Sequence, residues 1–315
     1  MKKIFLHAAL IATLFSGCSN DLKDMGDFPD NPTNPSIDFA PMDFGVSEAI
    51  TRGTQITKND ITEYGVSASI YPVANSYTSA GCGSYWFCDR IVTASGHSNH
   101  FWPGASYRVS FFAYAPYGNA ALTVRSKNDL GYPVYSYTVP TAIANQVDFV
   151  TANVTDHSGA GITTPVPLTF SHRCTDIRFT AYNQQSSALT VKSIAIYGVK
   201  YSGTYTNGAS WTLSGSVNSS SSHPFLLSLN TTVASKATVD LTGTSNHFIM
   251  LPQTVASGTD FFVVKTQEDG EERTYTYTLS SNYTLVMGKS VTFQLILGNG
   301  RLIVNPVNIV DWQAQ

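Results

Sequence analysis

The sequence predicts an all-β protein built of two consecutive antiparallel β-sandwich domains, on three observations. Apolar and polar side chains alternate with a period of two along most of the chain, which is the pattern of half-buried strands. Turn signals separate these runs. The composition, with 17 Tyr, 17 Phe and 23 Gly among 315 residues, favours strands and turns over helices. Residues 107–114 place Val109, Phe111 and Ala113 on one face and Phe112 and Tyr114 on the other. Residues 175–182 alternate Ile177, Phe179 and Ala181 against Arg178 and Thr180. Residues 189–199, 225–229, 246–251 and 261–266 read as further strands. Residues 273–280 set Tyr275, Tyr277 and Leu279 against Thr274, Thr276 and Thr278, and residues 290–297 align Val291, Phe293, Leu295 and Leu297. Asn207-Gly208 and Asp269-Gly270 are hairpin signals, since both central residues of the favoured two-residue turn need positive φ. Residues 58–64 and 142–149 could each supply a helical turn or two. A Gly, Thr and Pro cluster at 159–165 sets the expected boundary between domains 36–165 and 166–315.

The first 35 residues carry a different message. Lys2 and Lys3 precede an apolar run over residues 4–15, followed by Ser16, Gly17 and Cys18. The run is far shorter than the roughly 20 residues needed to span a bilayer, so residues 1–18 read as a signal peptide. The placement of Cys18 resembles a bacterial lipobox, with Phe15 where Leu is usual, and implies lipidation of Cys18. Residues 19–35 carry Asp21, Asp24, Asp27 and Asp30 with Pro29, Pro32 and Pro35. Such a segment buries too little apolar surface to order itself and reads as an extended tether. Its acidic residues resemble the export signal of surface lipoproteins, which points to a surface-exposed, lipid-anchored protein of the outer membrane.

Charge and chemistry exclude several classes. Charged residues make up 12% of the chain and the net charge is −3, so there is no electrostatic footprint for nucleic acid. Beyond Cys18 there are Cys82, Cys88 and Cys174, which allow one internal disulfide and leave one thiol over. His97 and His100 form a lone His-x-x-His, a weak metal signal in a Ser/Asn-rich stretch. Asp148, Asp156 and Asp176 are the carboxylates a glycosidase would need, but nothing in the sequence sets their separation. No Gly-rich phosphate loop or nucleophile elbow is present. The chain reads as a non-enzyme without cofactor or metal. Tyr85, Trp86, Phe87 and Trp102 are the aromatics that could stack on a sugar.

A series of short strings then carries a family resemblance. In order they are Ile37-Asp38-Phe39, Thr51-Arg52-Gly53-Thr54, Phe101-Trp102-Pro103-Gly104, YRVSFFAYAP at 107–116 and Tyr137-Thr138-Val139-Pro140. Gln146-Val147-Asp148-Phe149, VPLTFSHR at 166–173, FIMLPQ at 248–253 and Asp311-Trp312 complete it. In order and spacing the series resembles the fimbrillin-like proteins, lipoprotein pilins of type V pili. The resemblance implies transthyretin-like sandwiches and assembly by strand exchange. A trypsin-like protease would cut between Arg52 and Gly53, and the first strand, within residues 36–47 and carrying Ile37, Phe39, Phe44 and Val46, would leave. A neighbouring pilin subunit would then supply a strand to the groove.

Bottom-up reading of the same residues agrees. Four large apolar side chains lie between polar linkers, just ahead of an Arg-Gly bond. Losing four such groups forfeits about 6–12 kcal/mol of burial, comparable to the stability of a whole domain. The tail at 301–312 is the candidate donor, with Leu302 and Val304 before Pro306 and Val307 and Ile309 after it; the alternative is a last strand of its own domain, because proline tolerates only edges and bulges. The expected function is a pilus subunit. The competing readings are an uncleaved anchor subunit and a monomeric surface lipoprotein that binds glycan or host protein.

Overall fold

The alternation becomes strand in every run named above. The structure is a computed structural model describing residues 32–42, 59, 61–77, 85–93, 95–125, 133–161 and 163–312, without the side chains at 85, 88–91, 125 and 308. Among the described residues there is no α-helix, and no helix is long and apolar enough to cross a membrane. The first ten strands are β1 (Ser36–Met42), β2 (Glu63–Pro72), β3 (Tyr85–Thr93), β4 (His97–Phe101) and β5 (Tyr107–Ala115), then β6 (Leu122–Arg125), β7 (Val134–Thr138), β8 (Val150–Ser158), β9 (Val166–Thr169) and β10 (Ser171–His172). One sheet runs β10-β8-β5-β2-β3 and a second runs β4-β1-β9. Their facing side chains form one core with Val66, Ile70, Phe87, Phe111 and Leu168 at its centre.

The remaining strands are β11 (Thr175–Asn183), β12 (Leu189–Ile196), β13 (Lys200–Thr206), β14 (Trp211–Val217), β15 (Phe225–Val233), β16 (Thr238–Asp240) and β17 (Phe248–Met250), followed by β18 (Gln253–Val255), β19 (Asp260–Glu268), β20 (Glu271–Thr278), β21 (Tyr283–Leu285), β22 (Lys289–Gly298) and β23 (Arg301–Asp311). The sheet β16-β11-β22-β23 faces the sheet β15-β12-β19-β20. Between them Phe262 meets both Phe179 and Phe293 edge-on, with ring centroids 5.0 Å and 4.8 Å apart, while Phe179 and Phe293 stack. Edge-to-face pairs of this kind add about 0.5–1.5 kcal/mol each beyond their burial.

The two cores divide elsewhere than at residue 165. β9 and β10 pair with β1 and β8, so the segment just after the Gly/Pro cluster completes the N-terminal sandwich. Conversely, β6 and β7 join β13 and β14 in a fifth sheet, and Leu122, Tyr135, Tyr137, Ile143 and Phe149 bury in the C-terminal core. The physical cause is aromatic: Phe149 sits 5.2 Å from Tyr135 and 5.8 Å from Tyr205, so residues 122–149 leave one sandwich for the other and return. β5 serves both, with Phe111 in the N-terminal core and Tyr114 in the C-terminal one.

Two pairings are parallel, β1 with β9 and β11 with β22; alternation alone does not encode strand direction. Of the expected helical turns, residues 142–149 give a single 3-10 turn at Ile143–Asn145, whereas β2 already begins at Glu63. The Asp269-Gly270 hairpin forms, with φ of 48° and 89°, the conformation an Asp-Gly pair adopts at least cost. The β22–β23 hairpin turns on Asn299-Gly300 in the same way, with φ of 52° and 69°.

A buried ion cluster ties β11 to its neighbours. Asp176 accepts hydrogen bonds from Arg178 Nε at 2.7 Å and Ser290 Oγ at 2.6 Å, and His247 Nδ1 lies 3.3 Å away. Burial by itself would raise the Asp176 pKa, but His247, Arg178 and Ser290 together hold it below the ordinary carboxylate range. A folded-state pKa below the unfolded one contributes stability above about pH 4, which is lost as pH falls through the folded value. Urea unfolding should therefore show a marked loss of stability below about pH 4. Asp176→Asn should cost about 3–5 kcal/mol at pH 7 and flatten that acid limb; an unaltered limb in the variant contradicts the assignment.

Candidate functional site

β1 alternates as its sequence demands, with Ile37 and Phe39 buried and Ser36 and Met42 exposed. It is the middle strand of the small sheet, and its two ladders are staggered. β4 pairs along the first half, Ser36 with Phe101 and Asp38 with His97. β9 pairs in parallel along the second half, from Phe39 with Val166 to Met42 with Thr169. β4 and β9 share no ladder, so among the described residues β1 alone joins them into one sheet.

Several contacts fix the register. Phe39 N–H donates to Gly96 O at 2.9 Å and Trp102 N–H to Pro35 O at 3.0 Å. Ser98 Oγ donates to Ile37 O at 2.6 Å, and His97 Nδ1 lies 2.8 Å from Asp38 Oδ1. Phe39 meets Phe111 edge-on at 5.1 Å. Ile37 and Phe39 together contribute about 3–6 kcal/mol of burial. Gly96 has φ of +79°, and a Cβ there would fall 2.1 Å from Phe39 O. This glycine is what lets β1 seat. Nothing local in the residues signals this, because the 95–100 stretch reads as a polar loop until its partner strand is known.

The tail folds as β23, the edge strand of its own sheet, antiparallel to β22. Opposite Thr292 and Phe293 the ladder passes from Asn308 to Pro306, so Val307 is extra. That bulge absorbs the missing proline N–H and resets the alternation. Val304 is buried and Leu302 half-buried, whereas Val307 and Ile309 are 45% and 57% exposed. The second half of β23 is thus paired through its backbone while its large side chains face outward, until Trp312 turns in again at 3% exposure.

Other residues singled out in the sequence take separate places. Phe44, Val46, Arg52, Gly53, Cys18 and Cys82 lie outside the described residues, as does the Cys88 side chain. Cys174 is a free, buried thiol, and burial pushes its pKa well up. Asp148 pairs with His172 Nδ1 at 2.7 Å, Asp156 accepts from Tyr71 and from the Tyr77 backbone, and Asp176 belongs to the cluster above. The three carboxylates have different partners and form no pair. His97 serves β1, while His100 stacks on Phe87 at 4.1 Å. Among the described residues no group of three or more His, Cys, Asp or Glu could hold a metal. Trp102 is 1% exposed in the N-terminal core and offers no face to a sugar; Trp86 is half-buried against Phe87 and His100.

Comparison with known proteins adds three findings. The model of a family described as fimbrillin-like matches residues 51–312, a span that begins after β1. A fimbrial protein from Bacteroides vulgatus superposes with a TM-score of 0.68 at 17% identity, covering 89% of this chain and all of that one. A candidate cell adhesion protein from Bacteroides ovatus superposes with a TM-score of 0.55 at 16% identity, over 90% of this chain and 97% of that one. No curated protein sequence matches the chain.

Gly96→Ala should unseat β1 without altering any core side chain. Hydrogen exchange read by mass spectrometry is expected to quicken at least about tenfold in residues 36–42 and 97–101 and stay unchanged in 260–278. Equal protection in variant and parent contradicts the proposed fit of Phe39 against Gly96.

Proposed function

This chain belongs to the fimbrillin-like family, and on that premise we propose that it is a pilus subunit assembled by strand exchange on the cell surface. The observation that carries the proposal is the position of β1. This strand plugs the N-terminal core and among the described residues is the sole ladder between β4 and β9. Its departure leaves two strand edges and a hydrophobic slot shaped for alternate side chains, which is what β-strand addition requires: main-chain hydrogen bonds for affinity and side-chain pockets for register.

In this reading Cys18 carries lipid, so the precursor reaches the outer membrane anchored and exposed. A trypsin-like protease cuts between Arg52 and Gly53, freeing the segment that holds Ile37, Phe39, Phe44 and Val46. The second half of β23 of a neighbouring subunit, with Val307 and Ile309 already facing outward, supplies the incoming strand. Leu302 and Val304 remain the inner part of the tail. A subunit whose Arg52 bond stays intact would keep β1 and its lipid and serve as an anchor. The burial of Phe87 and Trp102 removes two of the four aromatic platforms on which a monomeric glycan-binding protein would rely.

Limited trypsin digestion of the precursor, followed by intact mass and native electrophoresis, tests the proposal. The expected result is one early cut after Arg52 and a ladder of oligomers, with Arg52→Ala remaining a lipid-linked monomer. Polymer formation undiminished in Arg52→Ala, or a cut chain that stays monomeric, contradicts it.

A further inference from the structure

Among the described residues β9 has one strand partner, β1, and with Pro167 it is suited to a sheet edge. It runs through Phe170 directly into β10, where Ser171 and His172 pair with Thr151 and Val150 of β8. Three residues after the last β1 partner, Thr169, comes His172. Its ring is held by Asp148 at 2.7 Å and stacks on Trp312 at a centroid distance of 4.5 Å and an angle of 10°. Trp312 is the residue that closes the far end of β23. Its N–H donates to Gly288 O at 2.8 Å, and Gly288 N–H donates to Cys174 O at 2.8 Å.

The seat of Trp312 is built to be left. Its indole Nε1 is buried and makes no hydrogen bond among the described residues, and a buried donor without an acceptor favours exposure to water. A cavity of about 310 Å³, bounded by Phe170, His172, Met287 and Trp312, opens beside the stack, so the ring can move without parting a closed core. The preceding large side chains, Val307, Ile309 and Val310, are already exposed. What keeps this half of β23 on the body is its ladder with β22, the ion pair between Lys289 and Asp311, and the Trp312 seat.

From this arrangement we propose that β1 and the Trp312 end of β23 are energetically coupled, with the β9–β10 segment as the link and the His172–Trp312 stack as a latch. While β1 is in place it orders β9, and β9 holds His172 under Trp312. When β1 leaves, β9 loses its only ladder, the seat loosens and the tail is released. A subunit would then offer its tail only after its own groove is open. This rests on the reading that β1 departs, and it adds an order of events to that reading. Coupling of this kind is reciprocal, so it can be read in the uncut chain from either end.

Hydrogen exchange on the full, uncleaved chain tests it. Phe39→Ala should speed exchange at residues 308–312 by about fivefold or more, and Trp312→Ala should speed exchange at 36–42 by a comparable factor. His172→Ala should release 308–312 by itself, so that adding Phe39→Ala to it produces no further increase there. Gly96→Ala, which unseats β1 through the backbone, serves as the second variant if Phe39→Ala leaves β1 protected. Exchange at 308–312 that stays at the parent rate while β1 is freed overturns the latch. Trypsin digestion reports separately on the parent reading: a cut chain that remains monomeric defeats strand exchange but not the latch, and polymer formation without the exchange coupling does the reverse.

Discussion

The constraint on which the rest of the structure depends is that, among the described residues, one strand in the first part of the chain is the only ladder between two others. β4 and β9 face the same core but never pair. β1 spans the gap, taking one neighbour along each half and sending Ile37 and Phe39 inward. A strand in the middle of a sheet is ordinarily the last to leave. Here it is tied to the body by short ladders and two large side chains, and it is continuous with a polar segment upstream. The contribution of those side chains, about 3–6 kcal/mol, is a large part of what a domain has in reserve. The N-terminal sandwich is therefore complete only while something occupies that slot.

The C-terminal sandwich stands in contrast. Its sheets close over the Phe179, Phe262 and Phe293 cluster, its hairpins turn on residues suited to positive φ, and its buried charges are paired. It also borrows β6, β7 and the aromatic residues around Phe149 from the N-terminal half of the chain. That exchange anchors the N-terminal sandwich to a firm body, so opening the slot need not dissolve the rest. The joint between them is short and specific: Arg173 donates from Nε to Thr151 Oγ1, Trp211 Nε1 donates to Arg173 O, and His172 stacks on Trp312.

Much of this was legible in the residues. Alternation located β5, β11, β12, β15, β17, β19, β20 and β22 because one face of each is buried, and the Ile37-Asp38-Phe39 string announced β1. Other features were hidden for definite reasons. Residues 166–169 look like the opening strand of a second domain, since pairing with β1 lies more than a hundred residues away and leaves no local mark. The migration of Tyr135 and Tyr137 into the other core has the same cause. The 95–100 stretch reads as loop because its strand character comes from β1 alone, and the role of Gly96 appears only once Phe39 O is placed against it. In the tail, Pro306 signalled an edge or bulge, and beyond the bulge at Val307 the side chains of Val307, Ile309 and Val310 are all exposed.

The most direct test of the central claim is to offer the slot its own strand. An isotope-labelled peptide of residues 34–47 would be added to protein treated with trypsin-type protease, and binding and assembly read by native mass spectrometry. The account predicts one peptide per cleaved chain, no uptake by the uncut chain, and loss of oligomers as peptide occupies the groove. A cleaved chain that excludes the peptide while retaining its original first strand would contradict it.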